Sequence, residues 1–368
     1  MIDPPRQEAV QAIRTCHNAG IDVKMITGDH LGTASAIATT IGLGGSGNGG
    51  ASLSAINGKA LATLSDTAFI ETADRTAVFA RVTPEQKLRL VQALQAKGHV
   101  VAMTGDGVND APALRQADIG VAMGITGTEV SKEAADMVLT NDNFSSIQAA
   151  VEEGRGVFDN LVKFITWTLP TNVGEGLVIL VAVFAGVALP ILPVQILWIN
   201  MTTAVLLGLM LAFEPKEPGI MTRPPREPGE PILTRPLIRR IILVGLMLLA
   251  GAFGLFEWAL LQSGNEAIAR TVAVNVFVFG ELFYLFNCRS LTHSMFVLGV
   301  FTNRWIWLGV SGMVALQLLF TYHPVMHRIF GSAPLGWQAW ALIIGWATVI
   351  YAVVDIEKRI QRRGSGRR

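Results

Sequence analysis

Apolar positions fall into two spacings along the chain. Up to about residue 144 they form short runs separated by stretches of helical period, and beyond about residue 160 they lengthen to the roughly twenty residues a bilayer core demands. Gln7 to Asn18 has helical spacing, with Val10, Ile13 and Arg14 marking its two faces and Gly20 ending it. Ile21-Asp-Val-Lys-Met-Ile26 reads as a strand, followed by a helix from about Thr33 to Ile41. Thr76-Ala-Val-Phe-Ala80 is a further strand, and Pro84 begins a helix whose Leu88, Val91 and Leu94 form an apolar stripe closed by Lys97-Gly98. His99 to Met103, Ala117 to Met123 and Ala135 to Leu139 suit buried parallel strands. This alternation predicts an α/β doubly wound parallel sheet, in partial form, over residues 1–144.

An all-α bundle of six transmembrane helices is expected next, near 161–189, 194–213, 238–262, 270–288, 305–322 and 335–354, within a membrane domain at 161–355. Residues 145–160 read as a helical connector and 356–368 as a basic tail. The loop carrying Lys216, Arg223, Arg226, Arg235, Arg239 and Arg240 is basic, as is the tail with Lys358, Arg359, Arg362, Arg363, Arg367 and Arg368. Positive charge marks cytoplasmic segments, so both termini and the α/β domain are expected in the cytoplasm, with the spans in the plasma (inner) membrane.

Composition agrees with a membrane chain: 51% of the 368 residues are hydrophobic, 15% are charged, and mean hydropathy is positive. A net charge of +1 gives no general case for nucleic acid. Cys16 and Cys288 are too far apart in sequence and setting to suggest a disulfide framework or a cysteine zinc site. No apolar segment opens the chain, so no signal peptide is expected.

Candidate chemistry centres on Met103-Thr-Gly-Asp-Gly-Val-Asn-Asp-Ala-Pro-Ala-Leu114. Asp106 and Asp110 follow a strand at its carboxyl end, where open α/β sheets bind ligands, and two hard carboxylates there suit Mg²⁺ bridging a phosphoryl group. Asn109 adds an amide for a phosphate oxygen. Thr27-Gly28-Asp29 stands at a second strand end. Lys87 lies in the first turn of its helix, where a cation is out of place unless an anion is near. Gly42-Leu-Gly-Gly-Ser-Gly47 satisfies the dinucleotide pattern but ends a helix, so it reads as a surface loop. Within the spans, Asn172 and Glu175 share a helix face beside Pro170, Asn200, Thr202 and Thr203 follow Trp198, and Glu281 interrupts an apolar run. Oxygens converging at mid-bilayer would suit a hard, partly dehydrated cation. Glu257 is as readily a structural partner.

These residues resemble the P-type cation-transporting ATPases. Asp3-Pro-Pro-Arg6, Thr27-Gly-Asp29, Lys87, the run from Thr104 to Pro112 and Asp142-Asn-Phe144 fall in that family's order, and the likeness covers essentially the whole chain. It implies a haloacid-dehalogenase-like domain, Mg²⁺ and ATP as cofactors, and transport through an aspartyl-phosphate. By the resemblance, Thr27, Gly28, Asp29, Lys87 and Asn109 are catalytic, Asp106 and Asp110 hold Mg²⁺, and Asn172, Glu175, Asn200, Thr203 and Glu281 match the ion ligands of calcium pumps. The loop Ile220-Met-Thr-Arg-Pro-Pro225 matches that subfamily as well. Two departures stand out. The family's phosphorylated Asp-Lys-Thr-Gly-Thr run does not occur here, so the chain alone is expected to be inactive without an amino-terminal half bearing that run and the nucleotide domain. Ala204 replaces an aspartate that follows Thr203 in the family pattern, which implies a single ion, a monovalent ion or a different coordination. The alternative is a truncated, non-catalytic membrane protein that binds cations or regulates a full-length pump.

Overall fold

The computed structural model describes residues 5–43, 53–291 and 293–365. Asp3 and Pro4 of the opening motif, residues 44–47 of the glycine-rich loop, and Arg367 and Arg368 of the tail lie outside the described residues. The chain divides into two units, Met1–Gly154 with Pro218–Glu230, and Arg155–Glu217 with Pro231–Arg368.

The first unit runs α1 (Gln7–Asn18), β1 (Met25–Thr27), α2 (Leu31–Ile41), β2 (Ala55–Asn57), α3 (Gly58–Ala62), α4 (Asp66–Arg75), β3 (Val78–Ala80), α5 (Pro84–Ala96), β4 (Ala102–Gly105), α6 (Ala111–Gln116), β5 (Ile119–Met123), α7 (Glu129–Ala134) and β6 (Met137–Leu139). Local chemistry sets several of these ends. Thr83 and Gln86 form a reciprocal capping box ahead of α5, with Pro84 in its first turn. Gly42 closes α2 in the left-handed conformation, at φ 78°. β1 starts at Met25 instead of Ile21, since its parallel ladder with β3 begins at the pair Met25–Val78, and the Lys24 ammonium just before it donates to the Asp74 and Thr76 carbonyls at 2.6 and 3.0 Å.

β2, α3 and α4 escape a periodicity reading. A three-residue strand shows no period, and α4 begins after Ser65, whose hydroxyl accepts from Ala68 N, with Phe69 and Ala73 one turn apart on its buried face. The strands form two three-stranded parallel sheets, ordered β1-β3-β2 and β4-β5-β6, where a single sheet was expected. Helices cover both faces of the first. Val78 and Ala80 pack with Ile13, Ala34 and Ala38, while Phe79 between them packs with Leu61, Phe69 and Leu90. β1 and β4 are each the edge of their own sheet, and no ladder joins them among the described residues, although Ile26 packs in one cluster with Val91 and Met103.

The second unit is helical: α8 (Phe144–Ala185, which begins in the first unit), α9 (Pro193–Leu206), α10 (Arg235–Ser263), α11 (Glu266–Cys288), α12 (Met295–Leu298), α13 (Arg304–Tyr322), α14 (Pro324–Phe330) and α15 (Trp337–Ser365). Among the described residues six helices are long and apolar enough to cross a bilayer, which makes this an integral, multi-pass membrane protein. The connector read at 145–160 is continuous with the first span, as one helix of 42 residues that contains Pro170. α9 stops at Leu206, with Leu207 as its cap, and a 3₁₀ segment follows, Gly208–Phe213.

α11 sits at the centre of the bundle. Every residue from Thr271 to Leu282 is buried, as expected for a helix that is apolar on all sides. Two of the basic residues of the loop and tail also hold the bundle together. Arg240 is buried on Glu357, and Lys358 is buried with its ammonium on the carbonyls of Asn287 and Ser290 at the end of α11.

The loop at 218–230 belongs to the first unit. Ile220 and Met221 bury against Ala19, with Ile21 and Val151 packed beside them.

Candidate functional site

In the α/β unit, the carboxyl ends of the two edge strands carry the predicted residues. At the end of β1, Thr27 Oγ1 accepts from Asp29 N at 3.1 Å, which shapes the turn, and Gly28 and Asp29 are exposed. At the end of β4, Gly105 leaves no space for a side chain: a Cβ there would lie 2.5 Å from Asp110 Cβ. That closeness lets Asp110 fold back, so its Oδ2 accepts from the backbone of Asp106 and Gly107 at 3.3 and 3.2 Å. Its Oδ1 takes Lys87 Nζ at 2.5 Å. The anion that a lysine in the first turn of α5 requires is therefore supplied by the chain itself, and Asp110 is buried. Asp106 and Asn109 are exposed, and the Asp106 carboxylate makes no hydrogen bond among the described residues. The Asp106 carbonyl is held by Thr128 N at 2.9 Å and by the hydroxyl of fully buried Ser131 at 3.1 Å.

Asp142 supports the next loop. It adopts φ 48°, and its two oxygens accept from Gly124 N, Ile125 N, Thr126 N and the Thr126 hydroxyl at 2.7 to 3.0 Å. Desolvation pushes this carboxyl up, but the bonds from Ile125, Thr126 and Gly124 prevail and hold its pKa at about 2. Sequence reading placed Asp142 in the motif without a role, and Thr128 and Ser131 escaped it altogether. The one available signal for the latter pair was a threonine capping a short helix.

In the membrane unit, Glu175 of α8 and Glu281 of α11 are buried, 4% and 2% exposed. Asn200 of α9 donates to Glu175 Oε2 at 2.7 Å. Glu175 Oε1 and Glu281 Oε2 are both buried without a hydrogen-bond partner. The two carboxyls lie within electrostatic reach of each other, and the buried Thr203 hydroxyl lies beside Glu281 while donating to the Ile199 carbonyl at 2.9 Å. Two bonds between α8 and α11 hold this level of the bundle, from Trp167 Nε1 to the Glu281 carbonyl at 3.0 Å and from the Tyr284 hydroxyl to the Thr166 carbonyl at 2.9 Å.

Asn172 does not join this group. It is exposed, as are Ala204 and Glu257. Three residues along a helix turn about 300°, so Asn172 and Glu175 share a broad side, and packing separates them within it. Asn275 and Gln317, both fully buried, each with one unpartnered amide atom, are polar positions in the spans that sequence reading passed over.

Comparison with known proteins bears on both units. Residues 188–360 match the family described as cation transporting ATPase, C-terminus. Residues 1–118 and 87–151 match haloacid dehalogenase-like hydrolases. The chain is 62% identical over 362 residues to a probable cation-transporting ATPase F of Mycobacterium tuberculosis, covering 98% of this chain and 40% of that protein. It belongs to the P-type cation-transporting ATPases. A calcium-transporting ATPase of Bacillus subtilis is 42% identical over 353 residues, 95% of this chain and 39% of its own. Calcium-transporting ATPase 1 of Schizosaccharomyces pombe is 38% identical over 364 residues, 98% of this chain and 40% of its own.

The chain thus spans about 40% of the length of the curated relatives it matches. P-type ATPases generally use Mg²⁺ and ATP. The residues present fit Mg²⁺ through Asp106, a free and exposed carboxylate with an exposed amide three residues along at Asn109. Mg²⁺ keeps several waters and takes one or two carboxylates together with phosphate oxygens. Asp110 fits that role less well, because Lys87 and two backbone amides already occupy its oxygens.

Proposed function

We propose that this chain forms the ion-binding bundle and part of the phosphoryl-transfer domain of an ATP-driven cation pump that works through an aspartyl-phosphate. The observation that carries the reading is the pair of buried carboxylate oxygens, Glu175 Oε1 and Glu281 Oε2, each without a partner in the bundle. A buried oxygen left unpaired is costly, and a dehydrated cation removes that cost for both at once. Asn200 and Thr203 steer the two carboxyls, and Asn172 and Ala204 mark the exposed side on which further groups would complete the coordination. Calcium is the cation named for the Bacillus and Schizosaccharomyces relatives. With Ala204 in place of an aspartate, one formal charge fewer favours a single divalent ion here.

In the α/β unit, Asp106 would hold Mg²⁺, which when bound neutralises charge on the transferred phosphoryl group. Asn109 and Thr27 would orient phosphoryl oxygens, with Gly28 and Asp29 shaping the turn that presents Thr27. Lys87, fixed by Asp110, adds positive charge beside them. The accepting aspartate lies in a run this chain does not contain, and the open edges of β1 and β4, both bearing site residues, suit a parallel strand carrying it. In this reading α8, one helix from the α/β unit to Glu175, carries the coupling, and the basic segments face the cytoplasm at the plasma membrane.

The test is cation-stimulated ATPase activity of the intact pump carrying Glu175→Gln or Glu281→Gln. Each is expected to raise the half-saturating cation concentration at least ~10-fold, as befits a lost charge on a hard cation. Unchanged cation dependence in both variants would refute the site.

A further inference from the structure

The outer face of α10 ends in a cluster of arginines above an open apolar groove. Thr234 caps the helix, with its hydroxyl accepting from Leu237 N, and Arg235 and Arg239 stand one turn apart in its first residues. Along the same face Ile238, Ile242 and Leu246 are 44%, 54% and 50% exposed, and with Leu243 and the two arginines they line a groove of about 430 Å³. α10 has 29 residues, so at about 1.5 Å per residue it exceeds a hydrocarbon core of about 30 Å, and its first turns fall at headgroup depth.

Charge at that end is unbalanced. Arg240 points inward, buried, and takes Glu357 Oε2 through both Nε and Nη2, at 3.1 and 2.7 Å. Arg239 reaches the other oxygen of Glu357 at 3.2 Å but remains 62% exposed, and Arg235 has no acidic partner among the described residues. Arg239 and Arg240 therefore share one carboxylate and Arg235 has none, which leaves a net charge of two positive units above a strip of bare aliphatic surface.

We propose that this groove binds an anionic phospholipid, with its headgroup phosphate on Arg235 and Arg239 and an acyl chain along Ile238, Ile242 and Leu246. An amphiphile with its negative charge at one end and hydrocarbon below matches both halves of the face. A second protein helix would match only the apolar half and would leave the arginines desolvated without a counter-charge. Exposed arginines at a membrane interface bind anionic headgroups about five-fold better each than neutral ones, so the pair selects by roughly 25-fold.

The experiment is native mass spectrometry of the full chain released from nanodiscs of equimolar phosphatidylglycerol and phosphatidylcholine. One phosphatidylglycerol is expected to stay bound, preferred over phosphatidylcholine by roughly 25-fold. Arg235→Gln/Arg239→Gln should lose that preference, Arg235→Lys/Arg239→Lys should keep most of it, and Arg328→Gln, outside the groove, should change nothing. Equal retention of the two lipids, selectivity that survives the glutamine pair, or loss of selectivity in the lysine pair would each overturn the proposal. So would a photo-crosslinker placed at Ile242 in the intact pump that captures polypeptide instead of lipid.

Discussion

Arg289 offers the sharpest test of how the membrane unit is held together. It follows α11, and its side chain is completely buried. Its Nε donates to Glu214 Oε1 at 2.8 Å, Nη1 to the carbonyls of Gly299 and Val300 at 3.2 and 3.0 Å, and Nη2 to the Thr302 hydroxyl at 2.6 Å. Glu214, 2% exposed at its side chain, also accepts from Asn303 Nδ2 at 3.1 Å, and its carbonyl takes Asn160 Nδ2 at 2.8 Å. One ion pair thus joins the segment after α9, the end of α11, the approach to α13 and the α8 helix. Arg289→Met leaves Glu214 as a buried charge with only Asn303 to satisfy it, and removing one partner of such a pair costs about 3–5 kcal/mol. Arg289→Met/Glu214→Met removes both charges, and its cost is expected to fall below that of the single change, because an apolar pair needs no solvation. Reversible unfolding of the chain in mixed micelles, with the double-mutant cycle completed by Glu214→Met, measures both quantities. A single-variant loss under about 1 kcal/mol, or a double variant worse than the sum of the singles, would refute this account of the pair.

Other consequences are equally open to measurement. Gly20 has φ +70°, and a Cβ there would lie 2.9 Å from Pro225 Cδ, so Gly20→Ala should cost about 1–2 kcal/mol from the left-handed backbone alone and loosen the 218–230 loop, seen as faster proteolysis within it. Asp142, depressed to about 2 from an unfolded value near 3.8, contributes stability that is present above about pH 4 and lost as pH falls through 2; amide exchange of Ile125 and Thr126 should accelerate over that window, and Asp142→Ala should abolish the pH dependence. In the intact pump Asp106→Asn should raise the Mg²⁺ concentration needed for phosphoenzyme formation at least ~10-fold, whereas Asp110→Asn should leave it nearly unchanged. Lys87→Ala should slow phosphoenzyme formation by about 10²–10³ at saturating Mg²⁺, the scale of a lost electrostatic contact to the transferring group. A Mg²⁺ dependence shifted equally by Asp106→Asn and Asp110→Asn would show that both are ligands.

Much of this protein is legible from its sequence because much of it is local. Length and hydrophobicity suffice for six spans, a twenty-residue apolar run having no other comfortable solvent than lipid. The spacing of Val10 and Ile13 suffices for α1, and the Thr83, Pro84 and Gln86 cap for the start of α5. The motif residues could be named one by one, since glycines at strand ends and carboxylates after them are written into consecutive positions. What the chain does with those residues was decided across distance. Asp110 and Asp106 look equivalent in sequence, and only the approach of α5 to the β4 turn brings Lys87 onto one of them and leaves the other free. Asn172 and Glu175 look like neighbours on one helix, and only the packing of α9 and α11 against α8 buries the second and exposes the first. Helical period tells which residues share a side, but which side meets another helix is set by the whole bundle, and there burial decides whether a polar atom meets water, a partner or an ion.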